Sequence, residues 1–178
     1  PQIVARGYCR ASIGTVSHLP VLRLAPVKEN RNNCPFLTGD HCAIHDAEPL
    51  VCALYPLAQE ISRKGQVSYF LQPTGCGGQV IEARVEDYLA RYDVPAREQT
   101  DVRWAQTCMT LEDTVEQLGA QLSPVLVRRM QDKLWQALYF GYDYAAPFLP
   151  QLEKNLHWLD VEFAKLTEYQ QKRNNASK

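Results

Sequence analysis

The chain has 178 residues, is 46% hydrophobic and carries a formal net charge of −1. Such a composition supports a buried core rather than a disordered chain, arranged as one ordinary domain or two small ones. The near-neutral charge excludes the basic face that nucleic acid would require, and no apolar run approaches the ~20 residues that span a bilayer. Residues 1–7 carry no signal-peptide pattern. The expectation is a cytoplasmic protein that binds neither nucleic acid nor membrane, with a protein partner left open.

Residues 1–33 hold one isolated cysteine, Cys9, and an apolar run over residues 19–27. Pro20 and Pro26 suit that run to an edge strand or extended segment, because proline cannot donate to a ladder. A polar turn over residues 28–33 leads into Cys34. Thr38-Gly-Asp40 is turn chemistry, with glycine free to take positive φ. Asp46-Ala-Glu-Pro49 predicts a helix start, where proline sacrifices no hydrogen bond and acidic side chains are favoured. Pro56 should end this helix after about two turns, leaving Cys52 and Tyr55 one turn apart on one face. Residues 57–62 and 66–71 then predict a hairpin closed by Arg63-Lys-Gly65.

Beyond Val80 the apolar spacing turns helical. Residues 85–92 and 95–109 predict two helices, the second with Val102, Ala105 and Met109 along one face. Thr110 and Asp113 resemble the start of a third, striped by Leu111, Val115, Leu118 and Leu122. Ser123-Pro124 opens a fourth, carried by Leu126, Met130, Leu134 and Leu138 and ending near Gly141. The last follows Pro150, with Leu152, Leu156, Leu159, Phe163 and Leu166 at helical spacing. These stripes read as core-facing. The polar tail, residues 170–178, reads as frayed.

Four of the six cysteines fall between residues 34 and 76, separated by seven, nine and twenty-three residues. Each lies beside turn residues or short apolar anchors, and folding can gather ligands from separate loops. A chain long enough to bury its own core, without an export signal, favours metal binding over disulfides or merely buried thiols. Cys34, Cys42, Cys52 and Cys76 are the candidate ligands of one centre, with Cys9 in reserve. Glycines on both sides of Cys76 let backbone N–H groups approach its sulfur. That loop lacks the Gly-Lys-Ser/Thr ending of a phosphate loop.

Zn²⁺ and an oxidised [4Fe–4S] core both accept four thiolates and offset two of their four charges. Lys28, Arg31, Arg63 and Lys64 are the expected suppliers of the remaining positive charge. The close Cys-x₂₋₄-Cys pairs of structural zinc are absent, which tilts the choice towards iron–sulfur. His41 or His45 could replace a cysteine, and Cys42 with His45 could form a nucleophile–base pair. The alternative is an imidazole hydrogen-bonded in a crowded loop. Cys108, one turn after Trp104, is expected as a small buried apolar residue.

These residues carry a resemblance. Cys34-Pro-Phe-Leu37, Cys42-Ala-Ile-His45, Pro49-Leu-Val-Cys52, Tyr55-Pro56 and Gly75-Cys-Gly-Gly78 follow in order the motifs of the YkgJ-type cysteine-cluster family. That family is described as putative zinc- or iron-chelating proteins. The match covers roughly residues 30–80. Glu48 and Ala53 stand where the family has arginines, and only Cys9 could answer to its upstream cysteine run. The resemblance implies one four-cysteine site at Cys34, Cys42, Cys52 and Cys76.

The fold class expected is α+β. An irregular Cys-rich metal-binding module with a small β-hairpin would occupy residues 1–94, and a bundle of about four helices packing on it residues 95–178. The expected function is a metal-binding cysteine-cluster protein with a structural or electron-accepting centre. The alternative is an iron–sulfur redox or protein-modifying enzyme related to flagellin lysine N-methylases, for which no catalytic residue stands out.

Overall fold

The computed structural model describes residues 7–25, 34–39, 41–45, 48–73, 84–91 and 93–176. The fold is mixed α and β, with three small antiparallel hairpins and five α-helices among the described residues. Two compact units divide it. One holds the described residues of Pro1–Pro35 and Thr110–Lys178, the other Phe36–Met109. No described helix is long and apolar enough to cross a membrane.

In the first unit, strand β1 (Cys9–Ile13) pairs antiparallel with β2 (Pro20–Leu24), Cys9 facing Leu24 and Ile13 facing Pro20. Pro20 opens its strand, a position where its missing N–H is tolerated. The connecting turn is closed by Gly14 N–H to Leu19 O at 2.9 Å and His18 N–H to Gly14 O at 3.0 Å. Gln131 Nε2 donates to His18 O at 2.8 Å and the Tyr139 hydroxyl to Pro20 O at 3.1 Å, seating the hairpin on the helices of its unit.

Those helices follow the expected stripes. In α4 (Pro124–Trp135) Leu126, Met130 and Leu134 are buried, as are Leu152, Leu159, Phe163 and Leu166 in α5 (Phe148–Ala176). A π-helical turn, Gln136–Phe140, follows α4 and stops at Gly141. A wider turn leaves carbonyls short of partners. Asn155 Nδ2 answers two of them, donating to Ala137 O at 3.2 Å and Gly141 O at 3.0 Å. A side chain at Gly141 would meet Gln136 O at 2.9 Å, so only glycine fits this corner. Residues 170–176 are not frayed but helical. Gln170 Oε1 accepts from Ser123 N at 3.0 Å, tying the end of α5 to the start of α4.

The helix expected to restart at Thr110 does not. Helix α3 runs unbroken over Val94–Gly119. The threonine hydroxyls are absorbed within it: Thr107 Oγ1 donates to Arg103 O at 2.8 Å and Thr114 Oγ1 to Thr110 O at 2.9 Å. A hydroxyl bonded back to residue i−4 does not interrupt a helix, and no glycine or proline falls between residues 96 and 118.

In the second unit, β3 (Leu37–Thr38) and β4 (His41–Cys42) form a two-residue hairpin, with Gly39 at φ +65° in its turn. Helix α1 (Leu50–Ala53) is one turn long, where two were expected. Pro56 disfavours helical backbone at Tyr55, and the Tyr55 N–H closes a tighter bond to Cys52 O at 3.2 Å. Strands β5 (Leu57–Ile61) and β6 (Val67–Leu71) form the expected hairpin, Leu57 facing Leu71 and Ile61 facing Val67. Its turn residue Gly65 takes φ +76° and lies where a Cβ would come within 3.2 Å of Val102 and Gln106, so the turn rests directly on α3. Helix α2 is Val85–Ala90, shorter than the span expected, whose Tyr92 lies outside the described residues. The core here is Leu54, Leu89 and Val94, with Leu50, Leu57 and Tyr69 packed around it.

Leu134 is completely buried. Leu134→Ala should cost about 2–5 kcal/mol in chemical denaturation, against less than about 0.5 kcal/mol for Val161→Ala on the exposed side of α5.

Candidate metal centre

Chain pairing decides where each cysteine stands. Cys42 lies on β4, half-buried, paired with Leu37. A further bond from Ala43 N to Phe36 O at 2.8 Å extends that pairing by one step. Cys34 precedes Pro35 and is exposed; it belongs to the first unit, Cys42 and Cys52 to the second. Cys52 is exposed on α1.

That short helix is held from below. Leu50 and Leu54, four residues apart, carry its apolar face into the core with Leu89 and Val94. The Tyr88 hydroxyl on α2 donates to Tyr55 O at 2.6 Å, with Ala53 O at 3.3 Å. Both carbonyls belong to the chain that turns away from Cys52, so Tyr88 occupies acceptors that a one-turn helix leaves open. Nothing at the sequence level marks Tyr88, because its partners lie 33 and 35 residues away.

At the open end of β5–β6, Gln72 N donates to Pro56 O at 2.9 Å. Cys52 is four residues before Pro56, and Cys76 four residues after Gln72. Cys76 itself, with the Thr74-Gly-Cys-Gly-Gly78 loop, lies outside the described residues, as do Lys28 and Arg31. Arg63 and Lys64, expected to neutralise the cluster, sit exposed in the turn at the opposite end of this hairpin from Pro56 and Gln72. Five paired residues, about 16 Å of strand, separate the two ends.

His41 is exposed on β4, opposite Thr38. His45 Nδ1 lies 3.4 Å from Glu48 Oε2, an i,i+3 pair with the imidazole largely exposed and the carboxylate largely covered. Glu48 is thus the orienting group that the sequence did not single out for His45, although the spacing could have suggested it. Cys9 is half-buried on β1. Cys108, expected to be buried, is only half-buried on α3; the buried residue there is its neighbour Thr107. Helical geometry turns adjacent positions about 100° apart, so a one-residue offset moves a side chain off the core.

None of Cys9, Cys34, Cys42, Cys52 and Cys108 is in a disulfide. Among the described residues, no group of three or more His, Cys, Asp or Glu side chains is assembled that could hold a metal ion. Cys34, Cys42 and Cys52, all described, therefore form no such group. A cavity of about 570 Å³ lies elsewhere, in the first unit between α4 and α5, and no cysteine lines it. There Glu162 bridges Lys133 and Lys165 at 2.8 and 2.7 Å, and hydrogen bonds from those two ammonium groups, Lys133 first, hold its carboxyl below the usual carboxylate range.

In comparisons with known proteins, no family model matches the chain, and no curated protein or solved structure matches it significantly.

Tyr88→Phe removes a hydroxyl shared by two carbonyls. It should cost about 1 kcal/mol, and hydrogen exchange should speed at Tyr55 and Leu57 while the amides of α5 remain unchanged.

Proposed function

We propose that Cys34, Cys42, Cys52 and Cys76 take one metal centre, a [4Fe–4S] cluster or Zn²⁺ with iron–sulfur preferred, in a structural or electron-accepting role. The proposal keeps the resemblance to the YkgJ-type cysteine-cluster proteins and a reducing, cytoplasmic setting for the thiols. One observation supports it: strand pairing shortens the chain path between Cys34 and Cys42 and between Cys52 and Cys76. Leu37 pairs with Cys42, and Cys34 is three residues before Leu37. Pro56 and Gln72 are bonded, with Cys52 and Cys76 four residues to either side. Four residues reach at most about 14 Å, so each hairpin limits how far its two sulfurs can separate.

Burial supports the same reading. No described residue in 34–52 is buried; burial begins at Ala53 and Leu54. A segment held by a two-residue hairpin and a single helical turn has little apolar burial to offset its ordering entropy. Coordination by four thiolates would supply that deficit, and a bound centre would also offer an electron acceptor if it is iron–sulfur. The described residues fit in chemistry: Cys34, Cys42 and Cys52 are thiols outside disulfides, with Cys34 and Cys52 exposed.

Anaerobic purification followed by metal analysis and a visible spectrum tests the proposal and separates zinc from iron–sulfur. Serine at Cys34, Cys42, Cys52 or Cys76 should each abolish the bound metal and destabilise the protein, by an amount on the order of 10 kcal/mol for a zinc-type site. Cys108→Ser should retain the metal. Metal-free protein whose sulfurs prove to be paired as disulfides would overturn the reading.

A further inference from the structure

Among the described five-residue strands, three carry an exposed charge: Arg10 on β1, Arg23 on β2 and Glu60 on β5. Charged side chains guard a sheet edge against pairing with another chain. Strand β6 has no such guard. Residues 66–73, Gln-Val-Ser-Tyr-Phe-Leu-Gln-Pro, are uncharged throughout, and Phe70 and Leu71 are 51% and 69% exposed. Among the described residues β6 pairs with β5 alone, which leaves its other side open.

The ladder fixes which backbone groups face outward. Ser62 N donates to Gln66 O and Gln72 N to Pro56 O, both at 2.9 Å. Bonded and non-bonded positions alternate along an antiparallel pair. With Leu57 opposite Leu71 and Ile61 opposite Val67, the backbone groups of Ser68 and Phe70 point to β5. Those of Val67, Tyr69 and Leu71 point away from it, and among the described residues they make no backbone hydrogen bond. On β5, by contrast, the Leu57 N–H is already given to Leu54 O at 2.7 Å. The strand is firmly held: Tyr69 packs on the core of Leu54, Leu89 and Val94, and Gly65 seats the turn against Val102 and Gln106. Ser68 and Phe70 lie on the face turned to solvent.

We infer that β6 is the contact edge of a homodimer, pairing antiparallel with β6 of a second copy about a twofold axis at Tyr69. The outward groups are symmetric about that residue. Tyr69 meets Tyr69 of the second copy, and Val67 meets Leu71, each pair exchanging both N–H···O bonds. On the solvent face Phe70 of each copy lies opposite Ser68 of the other. No charge stands opposite a like charge, and the exposed Phe70 and Leu71 gain cross-strand neighbours. A second copy is the occupant that this strand itself describes, since it brings a neutral edge with the same spacing of outward groups. Such a contact is isologous and closes at two copies, because β5, the outer strand of the joined sheet, carries Glu60 and has its Leu57 N–H occupied. The inference uses residues of the second unit alone and stands independently of the metal proposal.

Sedimentation velocity of the full-length chain across a micromolar-to-millimolar series should show a reversible monomer–dimer equilibrium. Reductant is present throughout, because the exposed Cys34 and Cys52 could otherwise link copies. Leu71→Pro removes one outward N–H from each copy and spares the bonds of Phe70 and Gln72 to the neighbouring strand. It should weaken the dimer about tenfold or more. Phe70→Glu should weaken it too, and adding Ser68→Lys should restore it, because the two positions face each other across the axis only in this register. That pair keeps the test open if Leu71→Pro fails to fold, which circular dichroism and thermal unfolding would reveal. A chain that stays monomeric throughout, a dimer indifferent to a folded Leu71→Pro, no recovery with Ser68→Lys, or association that runs past two copies would each overturn the inference.

Discussion

The burial of Leu54 against Leu89 and Val94 is the contact on which the second unit hangs. These residues come from the end of α1, from α2 and from the first residue of α3. Their contact therefore ties three short elements that could not persist alone. A one-turn helix has no cooperative stability, and a two-stranded hairpin is marginal in water. Leu50, Leu57 and Tyr69 enlarge the patch just enough to anchor the helix that carries Cys52 and the first strand of the larger hairpin. Among the described residues from 34 to 52 no side chain is buried.

The first unit is built differently. Its helices bury long apolar stripes, and its irregularity is concentrated in one place, the π-helical turn before Gly141. Asn155 resolves that irregularity by donating to two carbonyls, while the close approach of Gln136 O excludes any side chain at residue 141. The aromatic residues around the turn pack on one another, Trp135 with Tyr139 and Phe140 at 5.3 and 6.0 Å, and Tyr142 with Phe148 at 5.2 Å. The cation of Lys133 adds itself to the Trp158 ring at 5.2 Å. Stability in this unit is distributed over many contacts, whereas in the other it rests on a few.

That contrast bears on the chemistry. Thiols attached to weakly constrained backbone can rearrange around a metal at small cost, and the metal then contributes to folding.

How much of this was legible in the chain follows from the range of the forces involved. Periodic leucines at residues 126–138 and 152–166, the Arg63-Lys-Gly65 turn and the proline boundaries are local signals, and the helices and hairpin they announce are present. Thr110 misled because a hydroxyl caps a helix or bonds back within it according to backbone already formed around it. The helical course of Gln170 likewise depended on a partner distant in sequence, Ser123. By itself the sequence determined the helical stripes of residues 126–138 and 152–166, the hairpin of residues 57–71 and the order of the cysteine motifs. Only the tertiary structure decided that Tyr88 would brace the chain beside Cys52 and that Gln170 would meet Ser123. Those pairings come from folding contacts across tens of residues, which leave no periodic trace in a chain.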